Sequence, residues 1–321
     1  MSQKVKIVVP GDDPAQIADS PALDRLREYG EVTVYRERPA DDAEKLARVE
    51  GAEVILNTRS MVTWREAQLR QLPQLRLIAT CSVGTDSIDL VTAKELGVTV
   101  ANQPGGNAPF VAEHMFGLMF AVAKQAGVQT AALRAGEWLL PQNVMLQGKV
   151  LGIVGTGAIG AEMARLGRAI GMDVIAWTFN PSAERAQQLG VRFVSLDELL
   201  VQADVVSLHV SLTDETRGLI GAEQLSAMKS NAILLNGARG DVVDNLALAE
   251  CLNAGGLYGA GLDVFAQEPI SPTDPLLQCE RVVLTPHAAD QTPEAVVAIN
   301  NGAVDNIIAF LEGKPHPNAA A

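Results

Sequence analysis

The sequence predicts an α/β protein built from two parallel-sheet domains, and three observations predict it. Short β-branched runs alternate with amphipathic stretches through the first hundred residues. The same alternation restarts at Lys149. The strand that opens this second series runs straight into a glycine-rich turn.

In the first series the expected strands are the apolar runs Val5–Val9, Val32–Tyr35, Val54–Leu56, Leu77–Thr80 and Val98–Val100. Helical patterns lie between them at Leu23–Tyr29, Ala43–Val49, Glu66–Leu72 and Leu90–Leu96. Gly30 and Gly97 each follow a helical pattern and precede a strand, where a left-handed cap is expected. The Ala- and Met-rich stretch Ala108–Arg134, with Glu113 and His114 near its start, reads as one long helix crossing from the first domain toward the second.

The second series has expected strands at Val150–Val154, Val174–Trp177, Arg192–Val194, Val205–Val210, Ile233–Leu235, Leu262–Phe265 and Val282–Leu284. Ser195–Glu198 is a capping-box signature ahead of apolar residues. Thr292 and Pro293 read as the N-cap and first-turn proline of a last helix ending near Leu311, followed by a frayed tail, Gly313–Ala321. Because the second series is complete by about residue 287, that helix is expected to pack back on the first domain. The division is then 1–101 plus 288–321 for a discontinuous domain and 102–287 for the domain inserted in it.

A chain of 321 residues is long enough for two domains that each bury a core, and 48% apolar with 20% charged residues is ordinary for a globular protein. The net charge of −13 argues against a nucleic-acid partner or docking on an anionic membrane, since both need a basic face. Cys81, Cys251 and Cys279 have no CxxC spacing, so neither a disulfide scaffold nor a metal site is expected. The N-terminus reads as a strand and turn without a cleavable signal, and no uninterrupted apolar run approaches membrane-spanning length; a cytoplasmic location is the expectation.

The strongest local motif is Gly155-Thr156-Gly157-Ala158-Ile159-Gly160, between the run ending at Val154 and a helical pattern, Ala161–Ile170, that stops at Gly171. The first glycine makes the tight turn, the second lets the backbone approach a pyrophosphate, and the third lets the helix pack on the strand. The pyrophosphate then meets free N–H groups at the helix N-terminus. In this strand–turn–helix setting the motif predicts dinucleotide binding and a Rossmann-like inserted domain. An NAD site usually ends its second strand with an acid for the ribose hydroxyls. Here Thr178 stands at that place, followed by Phe179 and Asn180, and Arg185 is the nearest cation, seven positions on. Thr178 and Asn180 can bond ribose hydroxyls without charge, which leans the expectation toward NAD(H) over NADP(H).

Further stretches resemble, in order, the D-2-hydroxyacid dehydrogenase family: Ser82–Asp86 with Ile88 and Asp89; Asn102–His114; His209–Ile220, with Ser211 where the family usually has proline; Asn236–Gly240; Asp263–Pro269; and Thr285–His287. The resemblance spans nearly the whole chain and implies two Rossmann-like or flavodoxin-like domains. It also implies hydride transfer between a nicotinamide cofactor and a small 2-keto or D-2-hydroxy acid (glyoxylate-, hydroxypyruvate- or phosphoglycerate-like), and a homodimer.

Reducing a 2-keto acid needs a cation for the carboxylate and carbonyl oxygens and a proton donor for the carbonyl. The resemblance assigns these to Arg239, whose planar fork suits both oxygens, and to His287, with Glu268 as its carboxylate partner. A neighbouring carboxylate favours imidazolium and so makes a proton available near neutral pH. Taken singly, Arg239 reads as a surface ion-pair partner, Glu268 as a loop residue and His287 as a core histidine; in this order and setting they read as a catalytic triplet.

The resemblance further implies substrate contacts from the Val83 and Gly84 N–H groups, and cofactor contacts from His209, Val210, Ala238 and Asp263, the last equally suited to a structural role. Arg59-Ser60 resembles a family pair after the third strand, with substrate contact from Met61 a further expectation. His114 is expected to serve packing or a hydrogen bond between domains, and His316 to be solvated. Asp290 departs from the family, which usually has a small residue there. Formate dehydrogenases share the fold but typically carry glutamine opposite the histidine, and Glu268 argues against that reading. The alternative from another class is a dinucleotide-sensing binding protein, co-repressor-like, with little turnover; no long disordered tail or peptide-docking extension in the sequence favours it.

Overall fold

The structure, a computed structural model, describes residues 4–59, 61–314 and 319–320. Ser60, His316 and most of the tail beyond Lys314 lie outside them. The chain divides into two compact units, residues 1–107 with 291–321 and residues 108–290. The changeovers fall a few residues beyond those expected from sequence.

The first unit holds β1 (Val5–Val9), α1 (Ala22–Arg27), β2 (Gly30–Val34), α2 (Asp42–Arg48), β3 (Val54–Thr58), α3 (Glu66–Leu69), β4 (Leu77–Cys81), α4 (Leu90–Glu95) and β5 (Thr99–Ala101). Its strands form one parallel sheet in the order β2-β1-β3-β4-β5, the flavodoxin-like order. Alternate residues of each strand face opposite sides. Ile7, Val9, Leu56 and Ala79 join one core, while Val8, Ile55, Ile78 and Val100 join another around Trp64.

The second unit holds α5 (Ala108–Ala123), α6 (Ala126–Arg134), β6 (Val150–Val154), α7 (Ala158–Ala169), β7 (Asp173–Trp177), α8 (Ala183–Leu189), β8 (Arg192–Phe193), α9 (Leu196–Gln202), β9 (Val205–Leu208), α10 (Ala222–Ala227), β10 (Ile233–Asn236), α11 (Asn245–Asn253), β11 (Gly259–Leu262) and β12 (Val282–Leu284). Its seven strands are all parallel, in the order β12-β11-β10-β9-β6-β7-β8. The order reverses at β6, the crevice where open α/β sheets take ligands. α5 and α7 cover one face, and Met115, Met119, Met163, Leu151 and Leu235 pack there.

The last helix, α12 (Pro293–Leu311), belongs to the first unit and starts as its signature predicts, with the Thr292 hydroxyl accepting from the Ala295 N–H. By length and composition it could cross a membrane, more than the sequence pattern suggested. In the structure it buries Ile299, Ala303, Val304 and Ile307 against β4 and α1, with Asn300 and Asn306 hydrogen-bonded to the Gln16 and Asn102 carbonyls. The Ser195–Glu198 capping box is formed, opening α9.

Three expectations are corrected. Ala108–Arg134 is two helices: Gln125 takes a left-handed conformation, and its amide bonds the Gln142 carbonyl and the Tyr258 hydroxyl. Gly97 is a left-handed cap, but Gly30 is not; it lies inside β2, where a Cβ would sit 2.3 Å from the Val5 carbonyl oxygen. The strand expected at Leu262–Phe265 is Gly259–Leu262. Its glycines hid it from an apolar pattern, and they are required because β-carbons at Gly259 and Gly261 would meet Val122 and Leu118 of α5.

Candidate active site

In the second unit, the turn after β6 is built as its glycines demand. Gly155 has φ +94°, and a Cβ there would lie 2.8 Å from the carbonyl carbon of His209. A Cβ on Gly160 would fall 2.1 Å from the Gly155 oxygen, so helix and strand meet only through glycine. Around Gly157, by contrast, a Cβ would meet open space. Gly157 is the N-cap of α7 and offers no side chain to its first N–H groups, among them those of Ala158, Ile159 and Gly160. This is a backbone cradle open to an anionic group beside a helix N-terminus, and it fits a dinucleotide.

The buried side chains beside the cradle are neutral. Burial pushes the His209 imidazole down to about 3, so it is uncharged at physiological pH; one ring nitrogen contacts the Ser207 hydroxyl at 2.8 Å, and Nδ1 is buried without a partner. Val210 and Ala238 are buried nearby in the same apolar cluster. Thr178 and Asn180 follow β7, with Trp177 and Phe179 packed edge to face at 4.8 Å. Arg185, seven residues past Thr178, is not remote. The chain bends at Phe179 and Asn180, Ser182 caps α8, and the Arg185 side chain returns to Thr156, Nε donating to Oγ1 at 3.2 Å and Nη2 to the carbonyl oxygen.

At the carboxyl ends of β10, β11 and β12 the unit gathers Arg239, Glu268 and His287. After β10, the buried Asn236 ties its own loop, its amide donating to the Arg239 carbonyl and its oxygen accepting from the Ala238 N–H. Gly240 lets this loop press on the next, since a Cβ there would fall 1.9 Å from the Phe265 carbonyl carbon. After β11, the Phe265 N–H donates to Glu268 Oε1 at 3.0 Å and sets the carboxylate. Its other oxygen pairs with His287 Nδ1 at 2.7 Å.

His287 has φ +50°, uncommon for a side-chain-bearing residue, and Asp263 holds it there. The Asp263 carbonyl accepts from the His287 N–H, and its carboxylate accepts from Thr285 Oγ1 at 2.6 Å and from the Ala288 and Ala289 N–H groups. Both carboxylate oxygens are therefore occupied by protein. This buried side chain shapes the loop of the histidine. His114 joins it, Nε2 lying 2.9 Å from Thr285 Oγ1 and 3.4 Å from Asp263. That bond stays within the unit and does not run between domains.

The electrostatics follow. The hydrogen bond that His287 donates to Glu268 raises the His287 pKa above its ordinary 6.5, against burial and the opposing positive charge of Arg239. Burial alone would raise the Glu268 carboxyl, but the bond and charge of His287, helped by the Phe265 N–H and Arg239, hold it below 4.5. Burial also works on Asp263, where hydrogen bonds from His114, Thr285 and Ala288 keep the carboxyl below its ordinary value. The cluster can thus present a protonated imidazole and a guanidinium together. Asp290 is half-buried at the end of the same loop.

Val83 and Gly84 lie in the first unit. The Ser82 hydroxyl donates to the Gly84 carbonyl and the Asn102 amide to the Val83 carbonyl, while the Val83 and Gly84 N–H groups donate to nothing among the described residues. Arg59 has φ +50° and bonds Gln291 Oε1 at 2.6 Å; Met61 is exposed. Two side chains that organise the second unit's site, Asn236 and Arg185, were named in the sequence but given no role there. The serine N-cap at Ser182, three residues before Arg185, was the available signal that the chain doubles back.

Fold and site define a class: a two-sheet α/β protein with a dinucleotide cradle and an arginine–carboxylate–histidine set on one unit. Residues 116–289 match the family model of the D-isomer specific 2-hydroxyacid dehydrogenase NAD-binding domain. The chain is 38% identical over 303 residues to a glyoxylate reductase of Korarchaeum cryptofilum, covering 92% of this chain and 91% of that one. It is also 38% identical to a glycerate dehydrogenase of Methylorubrum extorquens, covering 92% and 96%. Its structure superposes on a D-lactate dehydrogenase of Aquifex aeolicus, solved with NAD and lactic acid, with TM-score 0.86, 30% identity and 98% of each chain covered. This chain belongs to the D-isomer-specific 2-hydroxyacid dehydrogenase family and is a hydroxyacid oxidoreductase.

Proposed function

We propose that the protein reduces a small 2-keto acid, of the glyoxylate, hydroxypyruvate or phosphohydroxypyruvate kind, to the D-2-hydroxy acid. The observation that carries this reading is the 2.7 Å pair of His287 Nδ1 with Glu268, on loops pressed against that of Arg239. The pair occupies Nδ1, keeps the ring protonated and leaves Nε2 to face a substrate oxygen.

In this reading, the reduced nicotinamide supplies a hydride to the keto carbon when bound. Arg239 binds the carboxylate and keto oxygen together and stabilises the negative charge that develops on the latter. His287 Nε2 gives that oxygen its proton. Glu268 stabilises the imidazolium before transfer and orients the neutral ring after it. The Val83 and Gly84 N–H groups are assigned to the substrate carboxylate and the first unit to substrate binding. The coenzyme is assigned to the second unit, through the Gly155–Gly160 turn, Thr178, Asn180, His209, Val210, Ala238 and Asp263.

NAD(H) is accommodated by Thr178 and Asn180, which bond ribose hydroxyls without charge. The protein is placed in the cytoplasm as a homodimer. Trp138 and Leu140, 82% and 81% exposed just after α6, together with Leu133 and Met145, form an apolar stretch that a second copy would cover. Sedimentation of the wild type beside a Trp138→Lys, Leu140→Lys variant tests this, with a monomeric wild type counting against it.

The function is tested by following oxidation of NADH, and separately NADPH, across a panel of 2-keto acids, with His287→Ala and Arg239→Ala beside the wild type. Turnover on one acid, lost in both variants, is expected. Coenzyme binding without turnover on any acid would move the protein to a sensing role.

A further inference from the structure

We propose that Arg185 is a specificity-determining residue that admits a 2′-phosphate, so that the cradle takes NADP(H) at least as well as NAD(H). The inference rests on reading the Gly155–Gly160 turn as a dinucleotide site, and it goes beyond the lean toward NAD(H) that the sequence gives.

Three features of the structure meet at one point. The place at the end of β7 that would hold an acid for the ribose hydroxyls is taken by neutral Thr178. A carboxylate there would repel a 2′-phosphate; none is present to do so. The guanidinium of Arg185 is then fixed over this edge of the cradle by two bonds to Thr156, the residue between the first two glycines. Those bonds use Nε and one Nη2 hydrogen, leaving the two Nη1 hydrogens and the second Nη2 hydrogen for a ligand.

Thr156 is itself buried, so the anchor is rigid, while Arg185 is only half-buried and open to an anion. In this fold the adenosine ribose lies between the glycine turn and the end of the second strand. A cation tethered to the first and carried on the helix that follows the second therefore faces the 2′ position. A planar fork with its orientation already fixed loses little freedom on binding a phosphate.

The test is the dissociation constant of NADPH and of NADH, read by quenching of protein fluorescence, for wild type, Arg185→Gln and Thr178→Asp. Adenosine 2′,5′-bisphosphate serves as a competing probe, and thermal melting checks that each variant folds. Glutamine keeps a donor for Thr156 but removes the charge. We expect the wild type to bind NADPH at least as tightly as NADH, with the NADPH constant the more sensitive to added salt.

Arg185→Gln should raise the NADPH constant by about 10- to 100-fold, the range for one charge-assisted contact, and move the NADH constant far less. Thr178→Asp should shift the ratio the same way by repulsion. The inference is overturned if the wild type binds NADH but not NADPH, or if Arg185→Gln weakens both coenzymes equally, which marks a strut for the turn. If the wild type binds neither coenzyme, the dinucleotide reading fails and this inference fails with it.

Discussion

Replacing Glu268 by Gln isolates the charge of the histidine's partner while keeping its hydrogen bond, because a glutamine oxygen still accepts from Nδ1–H. In the wild type the pair is 2.7 Å long, with side chains 47% and 37% exposed. A desolvated charge-assisted bond contributes about 1.5–3 kcal/mol, and an exposed ion pair about 0.2–1 kcal/mol. For this half-open pair the contribution is about 1 kcal/mol, a factor of about five in an equilibrium constant. Keto-acid reduction uses the imidazolium, so kcat/KM is high below the His287 pKa and falls as pH rises through it. Glu268 raises that pKa above 6.5, and Glu268→Gln should lower it, moving the alkaline limb toward acid. The assay is the pH profile of kcat/KM for reduction at saturating coenzyme. At a pH on the falling limb the variant should run about fivefold slower than wild type, with little loss on the acid plateau. An unmoved limb, or one moved toward alkali, would refute the assignment of His287 as the proton donor tuned by Glu268.

The pair's contribution to stability has its own window. The raised pKa of His287 contributes fully below 6.5 and is lost as pH rises through the folded value, while the lowered pKa of Glu268 contributes above 4.5 and is lost as pH falls through its folded value; melting temperature against pH should show Glu268→Gln least stable relative to wild type between those limits. Asp263→Ala should cost about 3 kcal/mol or more in denaturant unfolding, since it strands several buried donors, and should depress kcat by releasing the His287 loop; a variant as stable and active as wild type would remove Asp263 from that role. Gly160→Ala forces a Cβ to 2.1 Å from a carbonyl oxygen and should cost about 1–3 kcal/mol with loss of coenzyme affinity, read by melting and by fluorescence titration. The His209 ring, with its pKa near 3, should show no NMR titration between about pH 5 and 8, whereas a shift in that range would mean the ring is solvated.

How much of this was legible in the residues differs from element to element. Central strands announce themselves as apolar runs, and β1 and β6 stand at the residues their patterns predicted, as does the half-buried edge strand β12. The glycine turn was equally plain, because its three constraints fall within six consecutive residues. β11 was displaced because its pattern is glycine where another strand would be valine. The reason is a helix lying close above it, and nothing local records that helix.

The sequence by itself determined the two alternating series, the turn between β6 and α7, and the ordered motifs bearing Arg239, Glu268 and His287. Each depends on residues near one another in the chain, where propensity, capping and glycine geometry act. Only the tertiary structure decided what those residues touch. It made Asp263 the brace of the histidine loop, broke the long helix at Gln125, and brought Arg185 back to Thr156. Those outcomes rest on contacts across tens of residues, set by how strands stack in a sheet and how closely helices lie on it, and no window along the chain contains both partners.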